Sequence, residues 1–506
     1  IKIKKGINLM RVLVAAWGLP TWKKVNYCVE DTKKGEKTKR KSSSSTLALI
    51  DKYKPDKTII VLSLSLFARY VNKLSALVNN KTVKYCDLEK KLRNLVLNDN
   101  SYGAIVEIKD RIEKGEIEMV IAPGVGKFSL GSQSQPKVLT LVENYWPPTR
   151  NKVNAESQGG QTGTRGINLY FIEVYRRVSE AIRDSEDKLE LYVDLTHGVN
   201  YMPYLTAEAV RLAAMANAKK GVSIKVFNSD PVLVDNTLTN ECYQINLVNS
   251  VKIESNYAFN QIMREVLVRD SDRFKKSVNV SCLGDFKVLN SADELKKLAK
   301  AATGGIFVLI NHLACEIDRM LKEIDRRLDI SKIDVNVTQN GDEIRLEYNA
   351  TSVCEKGNLS IHSELAYVHA MLKALSKINA PKVTLELLDK WADEYGDITT
   401  SVIIKDEVDK MSEVSYLKDL LNNIMKSQGK RGKADMRNML AHGGLEKNVI
   451  RIKIKGEDGK EIEDINKLGK EAGKINKGDV TVSYCPDGTE GSDECYDILS
   501  SILKEF

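Results

Sequence analysis

The first half of the chain alternates short, unbroken apolar runs with segments of helical period. "RVLVAAWG" (11–18), "KTIIVLSLSLF" (57–67), "EIEMVIAPGVG" (116–126), "KLELYVDLTHG" (188–198) and "SIKVFNSD" (223–230) read as buried strands. Between them, "KYCDLEKKLRNLVL" (84–97), "INLYFIEVYRRVSEAIRD" (167–184) and "MPYLTAEAVRLAAMAN" (202–217) read as helices. Apolar strands separated by helices predict a parallel sheet covered on both faces, a Rossmann-like α/β domain over residues 1–250. Residues 251–300 are mixed. "NYAFNQIMREVLVRD" (256–270) has helical spacing, and Ser291 is placed to cap a helix, with Glu294 three positions on. The stretch reads either as a small helical or winged-helix connector or as a linker with the first helices of the next domain. From residue 303 helices dominate, beginning with a long amphipathic one over 304–328. That gives an all-α domain over 301–506, with a polar insert at 445–490. In the insert, "VIRIKIKGEDGKE" (449–461) and "DVTVSY" (479–484) predict a small β-hairpin. The expected fold class is α/β plus all-α.

Composition narrows the choice of function. The 506 residues are 42% hydrophobic, enough for real cores. The net charge of +8 comes from Lys mixed with Asp and Glu, which permits an anionic partner without demanding one. No apolar run reaches membrane-spanning length, so no membrane partner is expected. The opening "IKIKKGINLMRVLVAAWG" leads into "LPTWKK" without a small-residue cleavage pattern, so it reads as a first buried strand of a cytoplasmic protein. Eight cysteines are scattered with no CxxC pair, so no structural zinc is expected and most read as buried small hydrophobes. Cys485 and Cys495 bracket the turn-rich "PDGTEGSDE" and could be bridged.

Open α/β sheets bind ligands at the carboxyl ends of their strands. Three strand ends carry polar or Gly-rich tails: "WGLPTW" (17–22), "APGVGKF" (122–128) and "DLTHGVNYMP" (194–203), all expected on one edge. Trp17, Gly18 and Pro20 come from the first. Gly124 and Gly126 let a second loop bring backbone N–H groups to a phosphate. Thr196, His197, Gly198 and Asn200 supply a hydroxyl, an imidazole, close backbone approach and an amide. Tyr201 and Met202 open a helix whose N-terminus suits an anion. Ser42, Ser43, Ser44, Ser45 and Thr46 form a hydroxyl-rich run that reads as a loop, Ser44 and Ser45 being the ligand candidates. Lys127 and Arg165 add positive charge. No GxGxxG follows the first strand, so the edge suits a phosphate-bearing ligand other than a dinucleotide.

The stretch "DMRNMLAHGG" (435–444) carries a second kind of chemistry. On a helical wheel Met436, Met439 and Leu440 share an apolar stripe, while Arg437, Asn438 and His442 fall on the other side. Gly443 and Gly444 stop the helix. His442 then sits at the negative end of the helix dipole. RNA cleavage without a metal needs a base for the ribose 2′-hydroxyl, an acid for the leaving 5′-oxygen and a cation for the phosphate. Histidine and arginine suit those tasks. An Arg-x4-His spacing alone is common by chance. One helix supplies one set, so two copies facing each other would complete a site. His312, His362 and His369 lie in helical segments without an acidic partner at ligand spacing and read as structural. Glu364 follows His362 by two, a spacing that does not face on a helix.

"WGLPTW", "DLTHGVNYMP" and "RNMLAH", in that order, resemble the CARF–HEPN effector ribonucleases of type III CRISPR systems, closest to the archaeal Csx-type effectors. The resemblance covers nearly the whole chain. It implies that residues 1–250 form a CARF domain binding cyclic oligoadenylate, usually cyclic tetra-adenylate. It also implies that two HEPN domains of a homodimer, or a higher homo-oligomer, pair into one metal-free RNase site. The reaction would cut single-stranded RNA and leave 2′,3′-cyclic phosphates. Arg437 and His442 match the family's RxxxxH motif, Asn438 its frequent Asn, and Thr196, His197, Gly198 and Asn200 its "DxTHGxN" loop. No cofactor beyond the activator is implied. Thr196 and His197 also allow messenger cleavage in the CARF domain. The alternative is a non-catalytic nucleotide sensor that binds DNA through the connector.

Overall fold

The computed structural model describes residues 9–30, 37–70, 74, 82–130, 137–144, 167–183, 188–217, 221–231, 242–354, 357–426, 436–447, 449–456, 460–462, 475–485, 489 and 491–506. Arg165 and residues 433–435 lie outside them. The chain divides into two compact units, residues 1–254 with 326–366, and residues 255–325 with 367–506.

The first unit is built on strands β1 (Leu9–Ala16), β2 (Val25–Glu30), β3 (Lys37–Ser42), β4 (Lys57–Ser63), β5 (Thr82–Lys84), β6 (Ile117–Ala122), β7 (Gly126–Leu130), β8 (Lys137–Asn144), β9 (Lys188–Asp194), β10 (Val222–Ser229), β11 (Cys242–Ile253), β12 (Asp334–Asn340) and β13 (Glu343–Asn349). Eight of them form one sheet in the order β3-β2-β11-β10-β9-β1-β4-β6. Its centre, β10-β9-β1-β4-β6, is parallel. Val12 to Ala16 of β1 are fully buried, as expected of a central strand covered on both faces. The helices Asn168–Ala181 and Met202–Asn217 pack on each other and on this centre.

The sheet is mixed where the sequence predicted a parallel one. β11 runs antiparallel to β10, and β3 antiparallel to β2. β11, of twelve residues, and β3, of six, are polar strands with exposed positions, which an antiparallel pairing tolerates. Cys28 of β2 and Cys242 of β11 are joined by a disulfide, not buried as separate thiols. A second, five-stranded sheet runs β5-β12-β13-β8-β7. β12 and β13 lie at 334–349, in a stretch read from sequence as helical domain, yet β13 pairs in parallel with β8 and so belongs with the first unit.

The second unit is helical. Residues 251–300 do not form a separate connector of their own. The helices Ser255–Leu267, Ser271–Ser277 and Ala292–Thr303 pack within this unit, and no strand occurs among the described residues of 255–325, so there is no wing. Ser291 caps the third of these helices, accepting from the Glu294 N–H. The long helix expected over 304–328 is broken, Phe307–His312 and Ala314–Leu328 being separate. The insert forms the expected hairpin: Arg451–Ile454 pairs antiparallel with Val480–Ser483, and Val383–Thr384 adds a third strand. Cys485 and Cys495 are bridged. No helix of the described residues is long and apolar enough to cross a membrane.

Candidate functional site

In the first unit the strand-end tails do converge. β1 lies between β9 and β4, so "WGLPTW" and "DLTHG" leave neighbouring strands on the same edge. The Gly18 N–H donates to the His197 carbonyl at 2.8 Å, and the Val125 N–H, in the loop after β6, donates to the Tyr201 hydroxyl at 3.2 Å. A side chain would crowd two of these approaches. A Cβ on Gly18 would meet Val199 at 2.7 Å, and one on Gly124 would meet the Ser63 Oγ at 2.4 Å.

At the centre is a buried polar knot. Asp194 ends β9 fully buried, and its Oδ2 accepts from the Ser45 hydroxyl at 2.8 Å and the Thr46 hydroxyl at 2.7 Å. Its Oδ1 accepts from the Thr196 N–H at 3.1 Å. The Trp17 indole donates to Thr46 Oγ1 at 2.8 Å. The serine run is thus no loop. It runs from the end of β3 into the helix Ser45–Tyr53, with Ser44 as the N-cap. His197 takes the Ser45 N–H on Nε2 at 3.2 Å and lies under the Trp22 ring, centroids 3.8 Å apart. Burial lowers its pKa to about 4, partly opposed by the Asp194 charge. The imidazole is therefore neutral, with Nε2 as acceptor.

This geometry sorts the candidates. Trp17, Gly18, Pro20, Ser44, Ser45, Gly124, His197 and Met202 are buried and form the frame. Thr196, Gly198, Tyr201 and Gly126 are partly exposed and Asn200, at φ 53°, is exposed, so these can meet a ligand. Leu19, Val199 and Tyr204 add an exposed apolar rim. Asp194 and Trp22 were missed as site residues, although both lie inside the motifs that drew attention to this edge.

In the second unit the described part of the motif helix is Met436–Ala441. Met439 is buried, Arg437, Asn438 and Ala441 are exposed, and the His442 side chain is 45% exposed. The helix ends as its sequence dictates. Gly443 and Gly444 have φ of 54° and 82°, and the Gly444 N–H donates back to the Met439 carbonyl at 2.8 Å. The Tyr484 hydroxyl, just after the insert's strand Val480–Ser483, donates to the Gly444 carbonyl at 2.6 Å. Glu407, buried on the helix Ile398–Met411, faces His442 Nδ1 at 3.3 Å. The sequence reading missed that helix, and with it Glu407.

Two of the other histidines do have acidic partners. His369 Nε2 meets Asp325 at 2.9 Å, a pair brought together only by folding. His362 pairs with Glu364 because the helix starts at Ser363, so His362 is not on it and the helical spacing rule does not apply. His312 Nε2 accepts the Tyr484 N–H at 3.1 Å and lies beside the Cys485–Cys495 bridge.

Fold and sites together define a protein of two parts: a Rossmann-like domain with a ligand edge, and a helical domain with an Arg-Asn-His face. Residues 12–231 match the family model of the CARF domain of the CRISPR system endoribonuclease Csx1, and residues 398–463 match that of its HEPN domain. The CRISPR system endoribonuclease Csx1 of Methanocaldococcus jannaschii is 24% identical over 469 residues, covering 89% of this chain and 88% of that protein. The chain belongs to the Csx1-type CARF–HEPN endoribonucleases, and it is a CRISPR-associated RNase.

Proposed function

We propose that this endoribonuclease is switched on by a cyclic oligoadenylate, cyclic tetra-adenylate first among them, bound at the strand-end edge of the first unit. We further propose that it cuts single-stranded RNA without a metal at a site completed by a second copy. The observation that carries the reading is the motif helix, with Arg437 and Asn438 exposed and His442 half-exposed on one face. In the reaction one histidine takes the 2′-hydroxyl proton as the O2′–P bond forms. The partner chain's copy of that histidine gives a proton to the 5′-oxygen as the P–O5′ bond breaks. Arg437 holds the phosphate charge. At the ligand edge, Thr196, Gly198, Asn200 and Tyr201 contact the messenger, on the frame of Asp194, Ser45 and Thr46. Messenger cleavage by His197 gains no support, since its Nε2 is occupied and its ring covered by Trp22. A DNA-binding connector gains none either, because residues 255–300 pack as helices of the second unit.

The test is one RNase assay with cyclic tri-, tetra- and hexa-adenylate in parallel, in EDTA. Cleavage stimulated by one of the rings, and lost in His442→Ala while that ring still binds, is the expected result. Loss of cleavage on chelation sinks the metal-free step. Cleavage indifferent to every ring sinks the switch.

A further inference from the structure

The helix Ile398–Met411 buries Ile404, Val408 and Met411 on its inner face, and Glu407 lies among them with its side chain only 5% exposed. A carboxylate so placed is costly to desolvate unless it is partnered. Its Oε1 meets Lys410 Nζ at 3.1 Å and His442 Nδ1 at 3.3 Å. Gly443 makes the second contact possible. Its φ is 54°, and a Cβ there would lie 2.6 Å from Ile404 Cγ1, so a side chain here would strain the turn and crowd the helix that carries Glu407. Among the described residues, the other charged or titratable groups on the elements that meet here include Asp406, which shares Lys410 at 2.6 Å, Tyr416, whose pKa burial and then the Glu407 charge raise, Arg437, exposed on the motif helix, and Glu446, buried beyond the glycines.

We propose that Glu407 is the positioning residue of the ribonuclease site. It accepts the Nδ1–H of His442, which fixes the tautomer whose free Nε2 meets the RNA, and its charge stabilises the imidazolium that forms there. No proton moves to Glu407; it acts through His442 alone. The role rests on the reading of His442 as acid and base in RNA cleavage. A buried anion serving only the helix packing would have no need of a half-exposed histidine as its partner, with Lys410 already in place.

The experiment uses full-length protein with single-stranded RNA and the activating ring, in EDTA, across the pH range from about 5 to about 9. Glu407→Gln keeps the shape and removes the charge. Its kcat should fall about tenfold or more, with KM changed by less than about twofold. Lys410→Gln, at an exposed position, removes the other cation beside Glu407 and should leave kcat within about twofold of wild type. A Glu407→Gln variant with the wild-type kcat overturns the proposal. So does one whose loss of kcat merely tracks a loss of folded protein. A separate readout keeps this failure distinct from failure of the RNase reading. The 15N shifts of the His442 ring should report Nδ1–H in the wild type and a tautomer mixture in Glu407→Gln, whether or not RNA is cut.

Discussion

Burial and one backbone N–H hold His197 neutral, and the cost appears as a pH dependence of stability. Its folded pKa, about 4, lies below the model-peptide value near 6.5. Between those values the unfolded chain binds a proton that the folded chain refuses, so the contribution is fully present above about pH 6.5 and is lost as the pH falls toward 4. Melting temperature should therefore drop over that window. In His197→Gln, whose amide oxygen can still accept the Ser45 N–H, the slope over the same window should be shallower. Equal slopes in both proteins would mean that His197 protonates freely when folded. A chain sequence cannot announce such a residue. "DLTHG" marks His197 as special, but only the fold places Trp22 over its ring and Ser45 against its Nε2.

At the scale of elements, the insert braces the end of the motif helix. Tyr484 is fully buried and its hydroxyl donates to the Gly444 carbonyl at 2.6 Å, so a residue from 479–484 fixes the turn two residues after His442. Tyr484→Phe removes this one bond and leaves the ring packed. The expected cost is about 1–2 kcal/mol in unfolding free energy, read by denaturant titration, together with a lower kcat at unchanged messenger affinity. A kcat equal to wild type would show that the turn holds His442 without the insert. Elements were legible where one local pattern decided them. Val12 to Ala16 are apolar on both faces and read at once as a central strand. β12 and β13 alternate instead, with Val335, Val337, Ile344, Leu346 and Tyr348 buried, and their meaning depends on β8, far earlier in the chain. The helix Ile398–Met411 hid for a similar reason. Ile398 and Val402 are exposed apolar residues while Glu407 is buried, so its hydrophobic pattern does not follow its inner face.

The whole molecule is not a string of domains, because each compact unit takes two separate pieces of chain. A cut at residue 254, close to where composition suggests a boundary, removes β12 and β13 from the five-stranded sheet. β8 then loses the parallel partner that covers Val138 to Asn144, and β5 loses β12, its one neighbour among the described residues. An uncovered strand with Leu139, Leu141 and Val142 on it invites pairing with another chain. Residues 1–254 alone should therefore self-associate on size exclusion and melt below the full-length protein. The same piece joined through a flexible Gly–Ser linker to residues 326–366 regains both strands, and should run as a defined species that binds the activating ring. If residues 1–254 alone behave as well as the joined form, the second sheet is dispensable and the sequence boundary stands. If only the joined form binds, the ligand edge depends on strands that the sequence placed in the other domain, since β7 and β8 of that sheet follow directly from the Gly124–Gly126 loop.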